Sequence, residues 1–384
     1  MIKVMKKLAL LWVLLFVSVH LFSCEKGDEE AKKEAKAKSV LNPTSEYIAI
    51  FGDIQGQTVN LDKLTFYQNS VNWIENQLDL GYKINAVLQV GDITGANIVG
   101  QWKNFYNATY RLAQKVPFFA AIGDHDYTWT GKYIDDRYDT FFNDYVQFPL
   151  SVSKVVDYFE EGRMENVVVE NYIHGMPYYF IIMEFGPRSE VMDWARAVVG
   201  NNSDKEFILL THEYLESGGG IRTKNLKSAA RLRNTSYNTP TEVFEGLVSV
   251  YDYILCVLCG HVGSLYAFTY NQTEYGREVP EIQYNIQEEP YNSDSWLMLW
   301  EFPIDSDSAS VFIYNTKTNK YYNNKKVLFK FKYTNEPPIT SIKETRSKAN
   351  SNVEYNLSGQ RLSSNRIKNQ LLIRGGKKYA YRNR

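Results

Sequence analysis

Short apolar runs alternate, along residues 46–337, with stretches in which apolar residues recur at helical spacing. Two of these stretches predict amphipathic helices packed against a sheet, with their apolar faces at Trp102, Phe105, Tyr106, Thr109 and Leu112, and at Val191, Trp194, Ala195 and Val198. From about residue 265 the apolar runs follow one another directly, which predicts strands without helices between them. This order is typical of one α/β domain.

Five of the apolar runs end in aspartate or histidine. The runs and the polar residues after them are 47–51 with Asp53 and Gln55, 86–90 with Asp92, 118–122 with Asp124, His125 and Asp126, 207–210 with His212, and 253–259 with His261. The carboxyl ends of strands are where ligands bind in α/β folds, so we expect these side chains to converge. Four glycines stand next to the polar residues and allow close backbone approach.

Histidine is scarce, which makes its placement informative. The chain has five histidines; one lies in the leader, three lie at these strand ends, and His174 is assigned a structural role. A lone Gly-Asp after a strand is usually a turn, but five converging Asp and His motifs are the composition expected for divalent-metal chemistry on a phosphate ester.

The ordered motifs resemble one enzyme family. Asp53-x-Gln55, Gly91-Asp92, Gly123-Asp124-His125-Asp126, His212 and Gly260-His261 together resemble the calcineurin-like metallophosphoesterases, in particular a bacterial branch whose first motif is Asp-x-Gln. The resemblance covers residues 46–335. It implies an α/β fold, a two-sheet αββα sandwich, with two divalent metal ions at one edge and a metal-dependent phosphoric ester hydrolase activity.

The resemblance also implies a role for each motif residue. Metal-bound hydroxide would attack a phosphomonoester or a phosphodiester. His125 would act as the general acid, with Asp126 orienting its ring. The implied metal ligands are Asp53 and Gln55 for the first ion, Asp124, His212 and His261 for the second, and Asp92 as the bridge between the two.

Three positions depart from the usual motifs of the family. Gln55 replaces a histidine, Asp124 replaces an asparagine, and Gly263 replaces the second histidine of Gly-His-x-His. The first site keeps mostly oxygen ligands, so we expect it to be the weaker site and to favour Mg²⁺, Mn²⁺ or Ca²⁺ over Zn²⁺. The metal identity stays open among Mn, Mg, Fe, Zn and Ca.

The first 45 residues predict export. Lys3, Lys6 and Lys7 precede a fifteen-residue apolar run, 8–22, that ends in Leu21-Phe22-Ser23-Cys24. This resembles a bacterial lipoprotein signal, so we predict a signal peptide over 1–23, a lipid-anchored membrane attachment at Cys24 and a solvated linker over 24–45. An ordinary secretory signal or an uncleaved anchor are the alternatives. Each alternative places the protein in the cell envelope, at the outer membrane or cell surface, or outside the cell.

The C-terminal segment, 338–384, differs in charge from the rest of the chain. Residues 339–384 carry eleven Lys and Arg against two Glu, and 355–362 and 371–379 predict two short strands with glycine turns. This segment resembles the sorting tails of type IX secretion substrates; a basic β appendage or a patch that binds anionic surface polymer are alternatives. Nucleic-acid binding is not expected, since no aromatic and basic interleaving of a known module accompanies the charge.

The overall composition narrows the classes of protein. With 44% hydrophobic and 23% charged residues and a net charge of −1, the chain is neither a disordered tail, nor a collagen, nor a polytopic membrane protein. Cys256 and Cys259 lie three apart on a predicted strand and point to opposite faces, so we expect two buried thiols and no disulfide.

Two questions stay open in the sequence. Substrate specificity is assigned to long loops at 127–175 and 214–240. Arg188, Glu213 and Gln287 are assigned to substrate contact, to support of the ligands, or to a purely structural role. The alternative to an enzyme is a non-catalytic surface lipoprotein that keeps the fold as a binding module.

Overall fold

The computed structural model describes residues 39–223, 231–263, 265–322, 327–330, 371–374 and 377–380. Sixteen strands and seven α-helices are present in these residues. The strands are β1 (Glu46–Phe51), β2 (Lys83–Gln89), β3 (Phe118–Ala120), β4 (Val155–Tyr158), β5 (Val167–Ile173), β6 (Met176–Met183), β7 (Phe207–Thr211), β8 (Ile254–Cys259), β9 (Tyr266–Gln272), β10 (Glu278–Tyr284), β11 (Trp296–Phe302), β12 (Ser308–Asn315), β13 (Lys320–Tyr321), β14 (Val327–Lys330), β15 (Leu371–Arg374) and β16 (Lys377–Ala380). The helices are α1 (Gln55–Val59), α2 (Leu61–Asp79), α3 (Val99–Ala113), α4 (Phe142–Val146), α5 (Pro149–Val152), α6 (Ser189–Gly200) and α7 (Pro240–Val243).

The first sheet has the strand order β13-β12-β11-β1-β2-β3, with β14 paired to β12. Strands β1, β2 and β3 are parallel, whereas β11 runs antiparallel to β1 and β12 antiparallel to β11. Every residue of β1 is buried, as expected for a central strand covered on both faces. The parallel strands β1, β2 and β3 therefore end at one edge of the sheet.

The second sheet has the strand order β4-β5-β6-β7-β8-β10-β9. Strands β6, β7, β8 and β10 are parallel, and antiparallel strands flank them on both sides. The expectation of a long loop over 127–175 is wrong, because this segment contains α4, α5, β4 and β5. The antiparallel pair β4 and β5 extends the sheet, and β5 is rich in the Val, Tyr and Ile residues that favour strands.

The two predicted amphipathic helices are present. On α3, Trp102, Phe105, Thr109 and Leu112 are buried, and the Phe105 ring lies 5.7 Å from the Phe118 ring of β3, edge to face. On α6 the buried face is Val191, Met192, Ala195 and Val199, while Trp194 is only partly buried. The apolar stripe of α6 is therefore rotated from the predicted one, because the indole of Trp194 reaches the surface and donates a hydrogen bond to Asp157.

The layers follow the order helix, sheet, sheet, helix. Helices α2 and α3 cover the outer face of the first sheet, and α6 covers the outer face of the second. Between the sheets, the rings of Phe119 and Phe180 lie 6.2 Å apart. Each fully buried side chain of this kind contributes about 1.5–3 kcal/mol of transfer free energy. The predicted αββα sandwich is confirmed.

The two cysteines behave as predicted. Both thiols are free and buried, and they lie in different apolar clusters: Cys256 faces the first sheet, and Cys259 faces the helix layer of α6. Burial raises the pKa of both thiols above its usual value, which keeps them protonated and unreactive.

The chain divides into two compact units, Met1–Tyr333 and Thr334–Arg384. In the second unit, β15 and β16 form an antiparallel hairpin, so the single strand predicted over 371–379 is two strands. The predicted strand at 355–362, the domain boundary at 337–338 and the leader at 1–23 lie outside the described residues. Within the part of the chain that the structure describes, no helix is long and apolar enough to cross a membrane.

Candidate metal centre

Four of the predicted ligands form a compact buried group. Asp92, Asp124, His212 and His261 each offer one ligand atom, and these atoms all lie within 4.8 Å of one another. His212 Nε2 lies 3.3 Å from Oδ1 of Asp92, and His261 Nδ1 lies 3.2 Å from Oδ1 of Asp124. Asp92 and Asp124 follow β2 and β3 of the first sheet, and the histidines follow β7 and β8 of the second. Both sheets therefore contribute to one site.

The backbone fixes which nitrogen of His212 faces the group. Nδ1 of His212 lies 2.8 Å from the carbonyl oxygen of Val90, so Nδ1 carries the proton and donates it to that carbonyl. In the neutral ring, Nε2 is then the unprotonated nitrogen, and it points toward the carboxylates of Asp92 and Asp124. A hydrogen bond of this kind from the far nitrogen commonly orients metal-binding histidines.

Two ligand positions have a left-handed backbone. Asp92 has φ of 54° and His261 has φ of 79°, a region that residues other than glycine rarely adopt. Conformations of this type cost about 1–3 kcal/mol each and occur where the surrounding structure enforces them, often at functional sites. The strain directs both side chains into the same buried space.

The glycines before the ligands leave room for the ligands themselves. A Cβ at Gly123 would lie 2.2 Å from Oδ1 of Asp92, and a Cβ at Gly91 would lie 2.5 Å from Nδ1 of His212. Any larger residue would therefore displace a proposed ligand. The close approach predicted from the Gly-Asp and Gly-His pairs is present.

Asp53 and Gln55 are the two other predicted ligands, and each has a buried side-chain oxygen without a hydrogen-bond partner among the described residues. Oδ2 of Asp53 accepts the backbone N–H of His261 at 2.9 Å, while its Oδ1 has no hydrogen-bond partner among the described residues. Oε1 of Gln55 is likewise buried without a partner among them, while its amide nitrogen donates to Oε1 of Gln287 at 2.9 Å. Buried oxygens without donors are costly unless a cation binds them. The donor set therefore fits divalent metal ions.

The environment of the centre shifts the pKa values of its carboxyl groups in opposite directions. Burial raises the pKa of Asp53 well above its usual value; the charge of His212 opposes this, and that of Asp92 adds to it. Burial would also raise the pKa of Asp124, but the charges and hydrogen bonds of His261 and His212 hold it well below its usual range. Burial would lower the pKa of His212, but Asp92 and Asp124 raise it well above its usual value. The negative charges of the buried carboxylates therefore favour the binding of a cation.

His125 lies beside the metal-ligand group rather than within it. Its backbone N–H donates to Oδ1 of Asp92 at 3.0 Å, and its Nδ1 lies 2.9 Å from the carbonyl oxygen of Gly95. Burial would lower the pKa of His125, but the charges of Asp92 and Asp124 raise it above its usual value. The ring is thus held beside the carboxylates through its Nδ1, which leaves Nε2 as the nitrogen that a general acid would use.

Asp126 does not orient the ring of His125, contrary to the prediction, since that contact is made by Gly95. The Asp126 carboxylate instead accepts the backbone N–H groups of Ile93, Thr94 and Gly123 at 3.2, 2.8 and 2.9 Å. It therefore holds together the two loops that carry Asp92 and Asp124. This role is structural support of the ligand loops.

Several residues near the centre have weaker or no signals in the sequence. Trp129 stacks on the His125 ring, and Arg231 forms an ion pair with Asp124. Glu213, assigned three possible roles, lies 3.7 Å from Nε2 of His261 and forms an ion pair with Arg222. An arginine in a polar loop has no periodicity or spacing that would identify it, so only the fold reveals Arg231.

Gly263 and His174 each have a clear structural account. A Cβ at Gly263 would lie 2.3 Å from the Cβ of Ser217, and φ is +86°, so a histidine at this position would need both a shift of Ser217 and a strained backbone. His174 turns away from the centre: its Nε2 lies 2.7 Å from the carbonyl oxygen of Phe302. The structural role predicted for His174 agrees with this contact.

The family model for calcineurin-like phosphoesterases matches residues 47–265, more than half of the chain. The chain belongs to the calcineurin-like phosphoesterase family. It is also 24% identical over 274 residues to Uncharacterized protein YvnB of Bacillus subtilis (strain 168), covering 67% of this chain and 19% of YvnB. This chain therefore spans only a small part of the length of that relative.

Two solved structures are similar to this calcineurin-like phosphoesterase. Purple acid phosphatase PPD1 from yellow lupin is 13% identical with a TM-score of 0.47, covering 76% of this chain and 55% of the plant enzyme. A conserved Streptococcus pneumoniae protein described as a predicted phosphoesterase is 10% identical with a TM-score of 0.30, covering 74% of this chain and 98% of the other. The family assignment rests on the family match and on the ordered strands and ligand group described above.

Proposed function

We propose that this protein is a metal-dependent hydrolase that cleaves a phosphomonoester or a phosphodiester. The observation that carries the proposal is the buried group of Asp92, Asp124, His212 and His261 within 4.8 Å, formed by strand ends of both sheets. Divalent cations held there would supply Lewis-acid activation of water and would neutralise charge on the phosphoryl oxygens. Family membership supports phosphate esters as the substrate class.

The residues divide into two proposed cation sites that share Asp92. Asp124, His212 and His261 form the nitrogen-containing second site, and Asp53 and Gln55 complete an oxygen-rich first site. Carboxylate and amide oxygens without imidazole suit Mg²⁺, Mn²⁺ or Ca²⁺, whereas imidazole ligands bind transition metals more tightly. The second site is therefore the tighter of the two in this proposal.

His125 is the proposed general acid. Because its Nδ1 donates to the Gly95 carbonyl, Nε2 is the atom available to pass a proton to the leaving oxygen. Positioned proton transfer of this kind contributes about 10²- to 10⁴-fold in rate. Asp126 acts indirectly, through the loops that it ties together.

The proposed activity is tested with p-nitrophenyl phosphate and bis-p-nitrophenyl phosphate in the presence of Mn²⁺ or Mg²⁺. His125→Ala should lower the rate by at least about 10²-fold while metal content stays near that of the wild type. Asp92→Asn, the matched comparison, should lose both activity and metal. A wild-type protein that binds metal but cleaves neither ester would contradict the proposal and favour a non-catalytic binding module.

We further propose that the protein acts in the cell envelope, anchored by lipid on Cys24. The basic N-terminal residues, the apolar run 8–22 and the Leu21 to Cys24 box support this. Expression with a radiolabelled fatty acid should label the wild type, and Cys24→Ala should abolish the labelling. Detection of unlabelled wild-type protein in the medium would instead favour an ordinary secretory signal.

A further inference from the structure

Arg231 is in direct contact with one of the proposed metal ligands. Its Nη1 lies 2.7 Å from Oδ2 of Asp124, a carboxylate with no exposed side-chain surface, while 37% of the Arg231 side chain is exposed. Its guanidinium carbon lies 4.9 Å from the centroid of the Trp129 ring. Arginine stacks on aromatic faces in this way, and the contact restricts its planar group. The guanidinium is thus held at the boundary between the centre and solvent.

Trp129 brings Arg231 and the proposed general acid to the same place. The indole N–H donates to the carbonyl oxygen of Asp124 at 2.7 Å, which fixes the ring. The Trp129 and His125 rings stack with centroids 5.3 Å apart and an angle of 28°. One indole therefore contacts both His125 and Arg231. The proposed general acid and the guanidinium of Arg231 are therefore separated by a single side chain.

Arg231 compensates the negative charge of Asp124. Asp124 adds a second buried carboxylate to the one that Asp92 contributes to the group, and its Oδ2 is the atom that pairs with Arg231. An added carboxylate attracts cations and repels phosphate. Arg231 places one positive charge within hydrogen-bond distance of the Asp124 carboxylate. The pair is close to neutral overall, yet it presents a guanidinium whose N–H groups match phosphate oxygens.

We propose that Arg231 offsets the charge of Asp124 and binds the phosphoryl oxygens of the substrate, an inference that rests on the function proposed above. Removing Arg231 then changes two affinities in opposite directions. The cation affinity of the centre rises because a nearby positive charge is lost. The anion affinity falls for the same reason. A residue that only supported the fold would weaken both together.

The test measures binding, with activity as a separate readout. Calorimetric titration of Mn²⁺ into metal-free Arg231→Ala should give a dissociation constant roughly three- to tenfold below that of the wild type. Titration of inorganic phosphate into the Mn²⁺-loaded variant should give a dissociation constant higher by a similar factor, roughly three- to tenfold. Arg231→Lys keeps the charge but not the planar fork, so it should keep wild-type Mn²⁺ affinity and lose phosphate affinity. The double variant Asp124→Asn/Arg231→Gln loses one negative and one positive charge, so its Mn²⁺ affinity should be near that of the wild type.

Arg233 provides a matched control two residues away. Its Nη2 lies 2.7 Å from Oδ2 of Asp135, and its guanidinium carbon lies 4.6 Å from the Tyr133 ring, so it repeats the ion pair and the stacking away from the proposed ligands. Arg233→Ala should change neither affinity by more than about twofold. If Arg231→Ala weakens both affinities, or alters neither, the inference is wrong. Wild-type protein that cleaves neither ester would instead overturn the proposed function, independently of the Arg231 result.

Discussion

Gly260 lies against the carboxylate of Asp53: a Cβ added at Gly260 would be 2.2 Å from Oδ1 of Asp53 and 2.6 Å from a methyl group of Val90. The two residues belong to strand ends of different sheets, and they meet only because the sheets stack. Side-chain volume at position 260 therefore controls the geometry of the proposed first metal site.

Gly260→Ala should displace Asp53 and disturb the site. Overpacking of this kind costs about 1–3 kcal/mol of unfolding free energy, and we expect metal content to fall by about one ion per chain. Chemical denaturation and metal analysis of the purified variant measure the two effects. Gly100→Ala is the control, since a Cβ there meets nothing within 4 Å and the residue lies in α3. That change should leave metal binding intact and stabilise the protein by about 0.5–1 kcal/mol.

Replacing Asp126 should destabilise the ligand loops without removing any ligand. Asp126→Ala leaves the N–H groups of Ile93, Thr94 and Gly123 without their acceptor, and buried donors left unpaired cost about 1–3 kcal/mol each. We expect lower stability together with weaker metal binding, by denaturation and by calorimetry. His125→Ala is the comparison, and it should leave metal binding nearly unchanged. Equal metal affinity in Asp126→Ala and wild type would show that the loops hold without this carboxylate.

Gln55 should control the first ion without affecting the second. Gln55→Ala removes one oxygen ligand, so bound metal at subsaturating Mn²⁺ should drop toward one ion per chain while the imidazole-containing site stays filled. Gln287→Ala keeps every proposed ligand but removes the acceptor of the Gln55 amide and a donor to the backbone carbonyl of His261, so it should weaken the first ion by about 10-fold without abolishing its binding. Metal analysis after dialysis against graded Mn²⁺ separates the two. Loss of both ions in Gln55→Ala would refute the division into two sites.

Glu281 predicts a pH dependence of stability. Its side chain is buried on β10, accepts hydrogen bonds from Tyr214 and Asn271, and burial raises its pKa from 4.5 to about 7. A carboxyl group whose pKa is raised on folding keeps its proton to a higher pH in the folded state than in the unfolded state. Its contribution to stability is therefore fully present below pH 4.5 and declines as the pH rises toward 7.

Glu281→Gln should remove this dependence. Relative to wild type, the variant should gain up to about 3 kcal/mol of unfolding free energy between pH 4.5 and pH 8. Urea denaturation at both pH values measures the difference, and Glu278→Gln, an exposed residue of the same strand, is the control. A stability difference that is the same at both pH values would contradict the prediction.

The sequence was most informative where a short local pattern carries a physical requirement. Gly91-Asp92 and Gly260-His261 could be recognised because a glycine must precede a side chain that folds back against it. The stripe on α3 could be recognised because burial repeats every three or four residues. The stripe on α6 was placed on the wrong face in part, since an indole such as Trp194 can be half-buried and still fit an apolar pattern.

Other features had no local pattern to reveal them. The left-handed backbone at Asp92 and His261 arises from the packing of neighbouring loops, and the residue type at neither position predicts it. The support that Asp126 gives to the Asp92 loop depends on amides some thirty residues away. The short strand β4 has little apolar pattern of its own, and its pairing with β5, which in turn pairs with β6, places it in the sheet.

The order of the apolar runs and their terminal Asp and His residues determined, from the sequence alone, the α/β class and the family, and predicted the metal ligands, four of which the structure brings together. Only the tertiary structure decided that two sheets close over those ligands, which nitrogen of His212 faces them, and that Arg231 joins Asp124 across 107 positions of chain. Local sequence patterns indicate which residues of a segment are buried and where its backbone turns. Contacts between distant segments depend on how the sheets pack, and no single segment encodes that.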